Sequence, residues 1–280
     1  LHFLDADRDR LLSFNDVKDI LKPRGEAYRG LETVPIKMIV GSEGRYRDFN
    51  KYFLPHSEHI RPRWERVDVA HITDVILPPI SLYEIGGAYF VRDGNHRVSV
   101  AKAQGVEFID AEVTSLSAEI SIKPSMTVEE LKAALTAFEK SVFYEKTDFL
   151  ALTGCNDLNF SATGRYDVIY NHILVHKYYM NENKDEEIPF KDALVSWYAN
   201  VYNPVIAIIR EQWLLVNFPG RTEADLYVWI IKHWDFLKKK YGYYPLSTAA
   251  GDFSVKYGQS KGRFFRFLAM LAGKIFKAGN

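Results

Sequence analysis

The chain has 280 residues, 47% of them hydrophobic, which is enough to fill two ordinary cores. Lys plus Arg and Asp plus Glu both number 36, so the formal net charge is zero and no overall basic field draws the protein to nucleic acid. One cysteine, Cys155, excludes an internal disulfide framework and a multi-cysteine zinc site.

That cysteine usage fits a reducing cytoplasm. The sequence shows no signal peptide and no membrane-length apolar run, so a cytoplasmic protein without a transmembrane segment is expected. Near the start, Asp5, Asp7 and Asp9 with Ser13 and Asp16 imitate a calcium-binding loop. The match fails at Arg10, where the sharp turn needs Gly, and at Asp16, where a bidentate Glu is needed. The plainer expectation is a helix capped by Ser13, with Asp16 three residues on, running through Val17, Ile20 and Leu21 to Pro23. Residues 1–32 thus read as an N-terminal helical segment.

Residues 41–49 bring together a glycine-flanked carboxylate and two arginines: Gly41, Glu43, Gly44, Arg45 and Arg47, ending at Asp48-Phe49. The arginines are spaced to flank an anion from one side, and a guanidinium fork grips phosphate oxygens as lysine cannot. Glu43 is a candidate general base or magnesium ligand. The competing reading is a loop ion pair of Arg47 with Asp48 or Glu43. His56, Glu58 and His59 suggest a metal site without a further ligand, so a basic loop is expected there, with Arg61, Arg63 and Arg66 on the rim of an anion pocket.

Ile80, Leu82, Tyr83 and Ile85 alternate into a Gly86-Gly87 turn and return through Ala88–Val91, the pattern of a β-hairpin closed by a primed turn. Asp93-Gly94-Asn95-His96 follows at once. Val98, Val100, Ala101 and Ala103 then give a short helix face ended by Gly105. A strand therefore delivers a glycine loop onto a helix N-terminus, where free amides and the positive dipole end favour an anion. Gly94, Asn95, His96 and Arg97 are the candidate phosphate-binding residues, and Asp93 a candidate magnesium holder. The structural alternative is an ordinary Asp-Gly turn and a solvated helix start.

The run Asp93-Gly94-Asn95-His96-Arg97-Val98-Ser99-Val100-Ala101, with its helix, Gly105 and a strand over Glu107–Val113, resembles the second box of the ParB N-terminal and sulfiredoxin superfamily. Val34–Val40 resembles that family's first strand, and Gly44–Phe49 its first box. The resemblance covers about residues 33–115. It implies a nucleotide site, since the family holds CTP in partition proteins, ATP in sulfiredoxin and a phosphate donor in free-serine kinases. In those kinases a glutamate near the first box is the base, which makes Glu43 the first catalytic candidate. Two departures matter: Asn95 stands where sulfiredoxin has its reactive cysteine, and no helix-turn-helix follows as in partition proteins.

From residue 125 the sequence changes character. Thr127 with Glu130 opens a helix, and helical patterns span Val128–Phe143, Tyr166–Met180, Phe190–Glu211 and Glu223–Tyr241. His172 and His176 share one face at i and i+4, the spacing of paired metal ligands, but packed or hydrogen-bonded histidines are the expectation. Ser196-Trp197-Tyr198, with Asn200, Tyr202 and Pro204, reads as a kinked aromatic core helix. Thr222 with Asp225 caps another helix, and Arg221 ahead of it either clamps an anion or pairs with a carboxylate. Residues 261–277 form a basic amphipathic stretch, expected to pack on the body or on a second copy in a homodimer rather than on a membrane. The combination resembles bacterial proteins that join a ParB-like domain to an uncharacterised helical domain.

The expectation is an α+β protein: a ParB/sulfiredoxin-like small mixed β-sheet domain over 33–115, an all-α domain over 125–253 and an amphipathic helix over 254–280. Its function is expected to be binding of ATP, ADP or CTP, with Mg2+, leading to hydrolysis or phosphoryl transfer to a small-molecule acceptor. A DNA-binding ParB-like regulator and a ParB-like nuclease are the alternatives.

Overall fold

The computed structural model describes residues 10–55, 78–182 and 184–258. The chain divides into two compact units, Leu1–Leu135 and Thr136–Asn280. The acidic residues 5, 7 and 9, the His56–Arg66 stretch and the amphipathic tail lie outside the described residues.

The first unit is an α+β domain on a six-stranded mixed sheet. Its strands are β1 (Leu12–Ser13), β2 (Glu26–Pro35), β3 (Ile39–Ser42), β4 (Ile80–Ile85), β5 (Ala88–Asp93) and β6 (Phe108–Leu116), in the order β1-β3-β5-β4-β6-β2. β3 lies parallel between β1 and β5, β4 and β5 are antiparallel, and β4 and β6 are parallel. Helix α1 (Phe14–Leu21) is capped by the Ser13 hydroxyl, which accepts from the Asp16 amide at 3.3 Å as the spacing predicts.

The hairpin forms as expected, with Ile85 opposite Ala88 and positive φ at both Gly86 and Gly87, the requirement of a type I′ turn. Helix α2 (Asn95–Ala103) ends through Gly105 at φ +72°, with the Val106 amide bonding back to the Ala101 carbonyl. Alternation along the strands gives the sheet two buried faces. Phe14, Val17, Val40, Phe90 and Leu131 pack on one; Leu11, Phe49, Phe53, Leu82, Val91, Val98 and Ala101 pack on the other, beneath α2.

One expectation is corrected here. Residues 26–32, assigned by sequence to the N-terminal helical segment, belong to the ten-residue strand β2, and Ile36–Met38 is a 3-10 turn rather than strand. Pairing with β6, from Glu26 opposite Leu116 to Pro35 opposite Phe108, overrides a local pattern too polar to announce a strand.

The second unit is helical throughout its described residues. Helix α3 (Val128–Thr147) enters it from the first unit, opened by the reciprocal Thr127–Glu130 capping box. It is followed by α4 (Phe149–Thr153), α5 (Arg165–Asn181), α6 (Phe190–Trp197), α7 (Asn203–Glu211), α8 (Glu223–Tyr241) and α9 (Leu246–Tyr257). The helix expected over 190–211 is broken by a π-helical turn at Tyr198–Tyr202, directly ahead of Pro204, whose ring lacks the amide that would continue the ladder. Helices α4 and α9 were not anticipated, and α9 crosses the expected 253/254 boundary.

Candidate functional site

The parallel pairing of β3 and β5 brings the C-terminal ends of both strands to the same end of the sheet, with Ser42 opposite Val91. The two sequence boxes leave the sheet there as neighbours. Ser42, fully buried, donates its hydroxyl to the Val91 carbonyl at 3.2 Å and accepts the Arg45 amide at 3.3 Å, so the first box is fixed to β5 at its root. Asn50 closes the loop: its side-chain oxygen accepts the amides of Tyr52 and Leu54, both at 3.0 Å. This turn aims Phe49 and Phe53 down onto α2. Phe49 meets the His96 ring edge-on, and Ser99 donates its hydroxyl to the Phe53 carbonyl.

Gly94 is the N-cap of α2 at φ +107°, and no side chain caps the first turn. A Cβ at Gly94 would lie 2.5 Å from Ile80 Cγ2, so the position demands glycine both for its dihedral and for its space. Asn95 and His96 are buried. Asn95 Oδ1 has no hydrogen-bond partner among the described residues. A buried acceptor left in that state costs about 1–3 kcal/mol, an energy that a ligand donor would recover.

Arg97 is committed locally. Its guanidinium donates to the Asp93 carboxylate at 2.7 Å and to the carbonyls of Pro78 and Pro79, the second at 3.0 Å. It therefore holds the start of β4 and the end of β5 around Gly94, with its side chain largely shielded. Asp93 is exposed and its carboxylate faces Arg97.

Arg45 and Arg47 are exposed on the neighbouring loop, Arg45 3.6 Å from Asp48 and Arg47 over the Tyr46 ring at 5.4 Å. The expected loop ion pair thus forms from Arg45 rather than Arg47. Glu43 donates its amide to the Val91 carbonyl at 3.0 Å. Its charge acts on Tyr83, whose phenol pKa is raised first by burial and next by Glu43. Arg92 stacks over the same ring at 5.6 Å. The structure so gathers Gly94, Asn95, His96 and Arg97 at one helix start, puts Arg45 and Arg47 on the adjoining loop, and ties Glu43 to β5 through its backbone amide.

Of the other sequence candidates, His172 and His176 are hydrogen-bonded, to the Tyr227 hydroxyl at 3.2 Å and the Ser196 hydroxyl at 3.0 Å. Arg221 donates to the Ser161 hydroxyl at 2.9 Å and lies over Trp229. Among the described residues no three His, Cys, Asp or Glu side chains gather as a metal site. No helix of the described residues is long and apolar enough to cross a membrane.

Sequence reasoning missed Lys102. From the last turn of α2 its ammonium donates to the Ile39 carbonyl at 2.9 Å and lies 4.5 Å from the centre of the Phe53 ring. Burial lowers its pKa to about 8. Nothing in the local sequence marks this residue; only the fold sinks it.

No protein-family model matches the chain, and no curated protein does. The chain is similar to two solved structures of a pNOB8-like ParB N-domain. One, at 11% identity, covers 76% of this chain and 83% of that one with a TM-score of 0.22. The other, at 12% identity, covers 76% and 78% with a TM-score of 0.21.

Proposed function

We propose that the first unit binds a nucleotide through its phosphates at the start of α2. The observation that carries this reading is the first turn of α2, uncapped by any side chain behind a glycine that only glycine can replace. Backbone amides there, with the dipole behind them, are complementary to a phosphate. Arg45 and Arg47, exposed on the adjoining loop, close over the phosphate oxygens. Asn95 Oδ1 accepts a ligand hydroxyl or amino donor. Arg97 acts on shape, keeping Gly94 in its left-handed turn by clamping Asp93 and the Pro78 and Pro79 carbonyls.

Phosphoryl transfer or hydrolysis is the chemistry such a cradle serves, by charge neutralisation and positioning. Glu43, directly after β3, is the carboxylate for the acceptor, and Asp93, at the end of β5 and paired with Arg97, is the residue that would hold a magnesium ion.

The test is calorimetric titration with ATP, ADP and CTP, with and without magnesium, alongside a radiolabelled phosphate-transfer screen. The Arg45→Ala and Arg47→Ala double variant keeps its stability and loses about tenfold in affinity, as expected when charge-assisted contacts are removed. Absence of nucleotide binding at about 1 mM ends the proposal.

A further inference from the structure

A cavity of about 430 Å³ opens in the helical unit between the 3-10 turn Leu214–Asn217, α8 and the end of α9. This volume lies within the range of small-molecule sites. Four aromatic side chains form its wall: Phe218, Trp229, Phe253 and Tyr257. Phe218 and Phe253 are inclined by only 19°, with centroids 5.5 Å apart, and Trp229 and Tyr257 flank Phe253 at 6.3 Å and 5.0 Å. Rings set in this way present faces and edges that a further flat ring can join.

The polar part of the lining decides what that ring must carry. Arg221 is committed: it donates to the Ser161 hydroxyl at 2.9 Å and lies over Trp229 at 5.5 Å from the ring centre. Among the described residues no carboxylate lines the cavity, so neither an anion nor a cation meets an unanswered charge there. Asn217 differs. It is 2% exposed and donates its Nδ2 to the Ser254 hydroxyl of α9 at 2.7 Å, which fixes the amide at the cavity wall. Its Oδ1 is buried with no hydrogen-bond partner among the described residues. Folded proteins pair nearly all such atoms, and an amide oxygen kept dry without a donor is a cost that a ligand N–H relieves.

We infer that this cavity binds a neutral, flat, bicyclic heteroaromatic small molecule, its rings against Phe253 and Trp229 and a ring N–H donated to Asn217 Oδ1. Ring contact supplies the affinity, and the single hydrogen bond sets the orientation. The site lies within the second unit and does not rest on the nucleotide reading.

The experiment is calorimetric titration of the full chain with benzimidazole and with N-methylbenzimidazole, which keeps the rings and lacks the N–H. Saturable binding of benzimidazole is expected, about fivefold tighter than that of the methylated compound. Asn217→Ala should abolish the preference and leave the two compounds equal, a result that a purely structural asparagine would not produce. No binding of benzimidazole at about 10 mM, equal affinities in the wild type, or a preference that survives in Asn217→Ala overturns the inference. If Asn217→Ala does not fold, Trp229→Phe decides. The change in tryptophan emission on benzimidazole binding must disappear in that variant, and an unchanged signal overturns the assignment to this cavity.

Discussion

The Phe49 ring stands edge-on against His96, with centroids 5.5 Å apart and planes inclined at 74°. Phe49 is fully buried, so this contact is how the first-box loop is seated on α2. Phe49→Ala should therefore destabilise the first unit by about 3–5 kcal/mol, and Phe49→Leu by much less. Urea unfolding reads the stability. ATP titration of the folded Leu variant reads whether loosening this seat weakens the proposed site.

Gly94→Ala should cost about 2 kcal/mol or more, from the φ of +107° and the contact with Ile80 together. The loss should appear in thermal unfolding. A variant as stable as the wild type would mean that the turn before α2 is not held as described.

Lys102 makes stability depend on alkaline pH. Its folded pKa is about 8 against an ordinary 10.5, so between those values the unfolded chain binds more protons than the folded one. Stability should then rise with pH across that window, by at most about 1.4 kcal/mol per pH unit. Lys102→Met should flatten the rise. Unfolding free energies at pH 7.5, 8.5 and 9.5, compared between the two proteins, check the sign.

The helical unit should weaken in acid. Burial lowers the pKa of His172 and of His176 below the ordinary 6.5. The unfolded chain therefore takes up protons first as pH falls through 6.5, and stability drops from there to the folded values. His172→Gln should shrink that drop, as measured by melting temperatures between pH 7.5 and pH 5.

Tyr227→Phe tests the centre of the same core. The Tyr227 hydroxyl accepts from Trp197 Nε1 at 3.1 Å and bonds His172 at 3.2 Å, so its loss strands a buried indole donor. A cost of about 1–3 kcal/mol is expected in denaturant unfolding.

The parts of this fold written locally were legible. The Gly86-Gly87 hairpin, the Ser13, Thr127 and Thr222 caps and the helix face of α2 all depend on residues within a few positions of one another. β2 was not, because Tyr28 and Leu31 stay exposed on an edge strand and only pairing with β6 makes it regular. The α+β class followed from the first group without the second. At the candidate site, glycine and guanidinium were visible in the sequence. That Pro78, Pro79 and Asp93 already engage Arg97 was not, since two of those partners are backbone carbonyls. Lys102 was invisible for the opposite reason: its distinction is what surrounds it.

The bond from Ser42 to the Val91 carbonyl joins positions 49 apart in the chain, whereas the β4–β5 ribbon closes over two glycines. Loop-closure entropy makes the ribbon and α2 early events in folding, and the β3–β5 pairing a late one. The β3–β5 pairing, the Phe49–His96 contact and the Ser99–Phe53 bond together bring the two boxes into place. Recovery of the proposed nucleotide binding during refolding should consequently trail the return of helical signal, so that binding would report completion of the β3–β5 seam rather than of the helices.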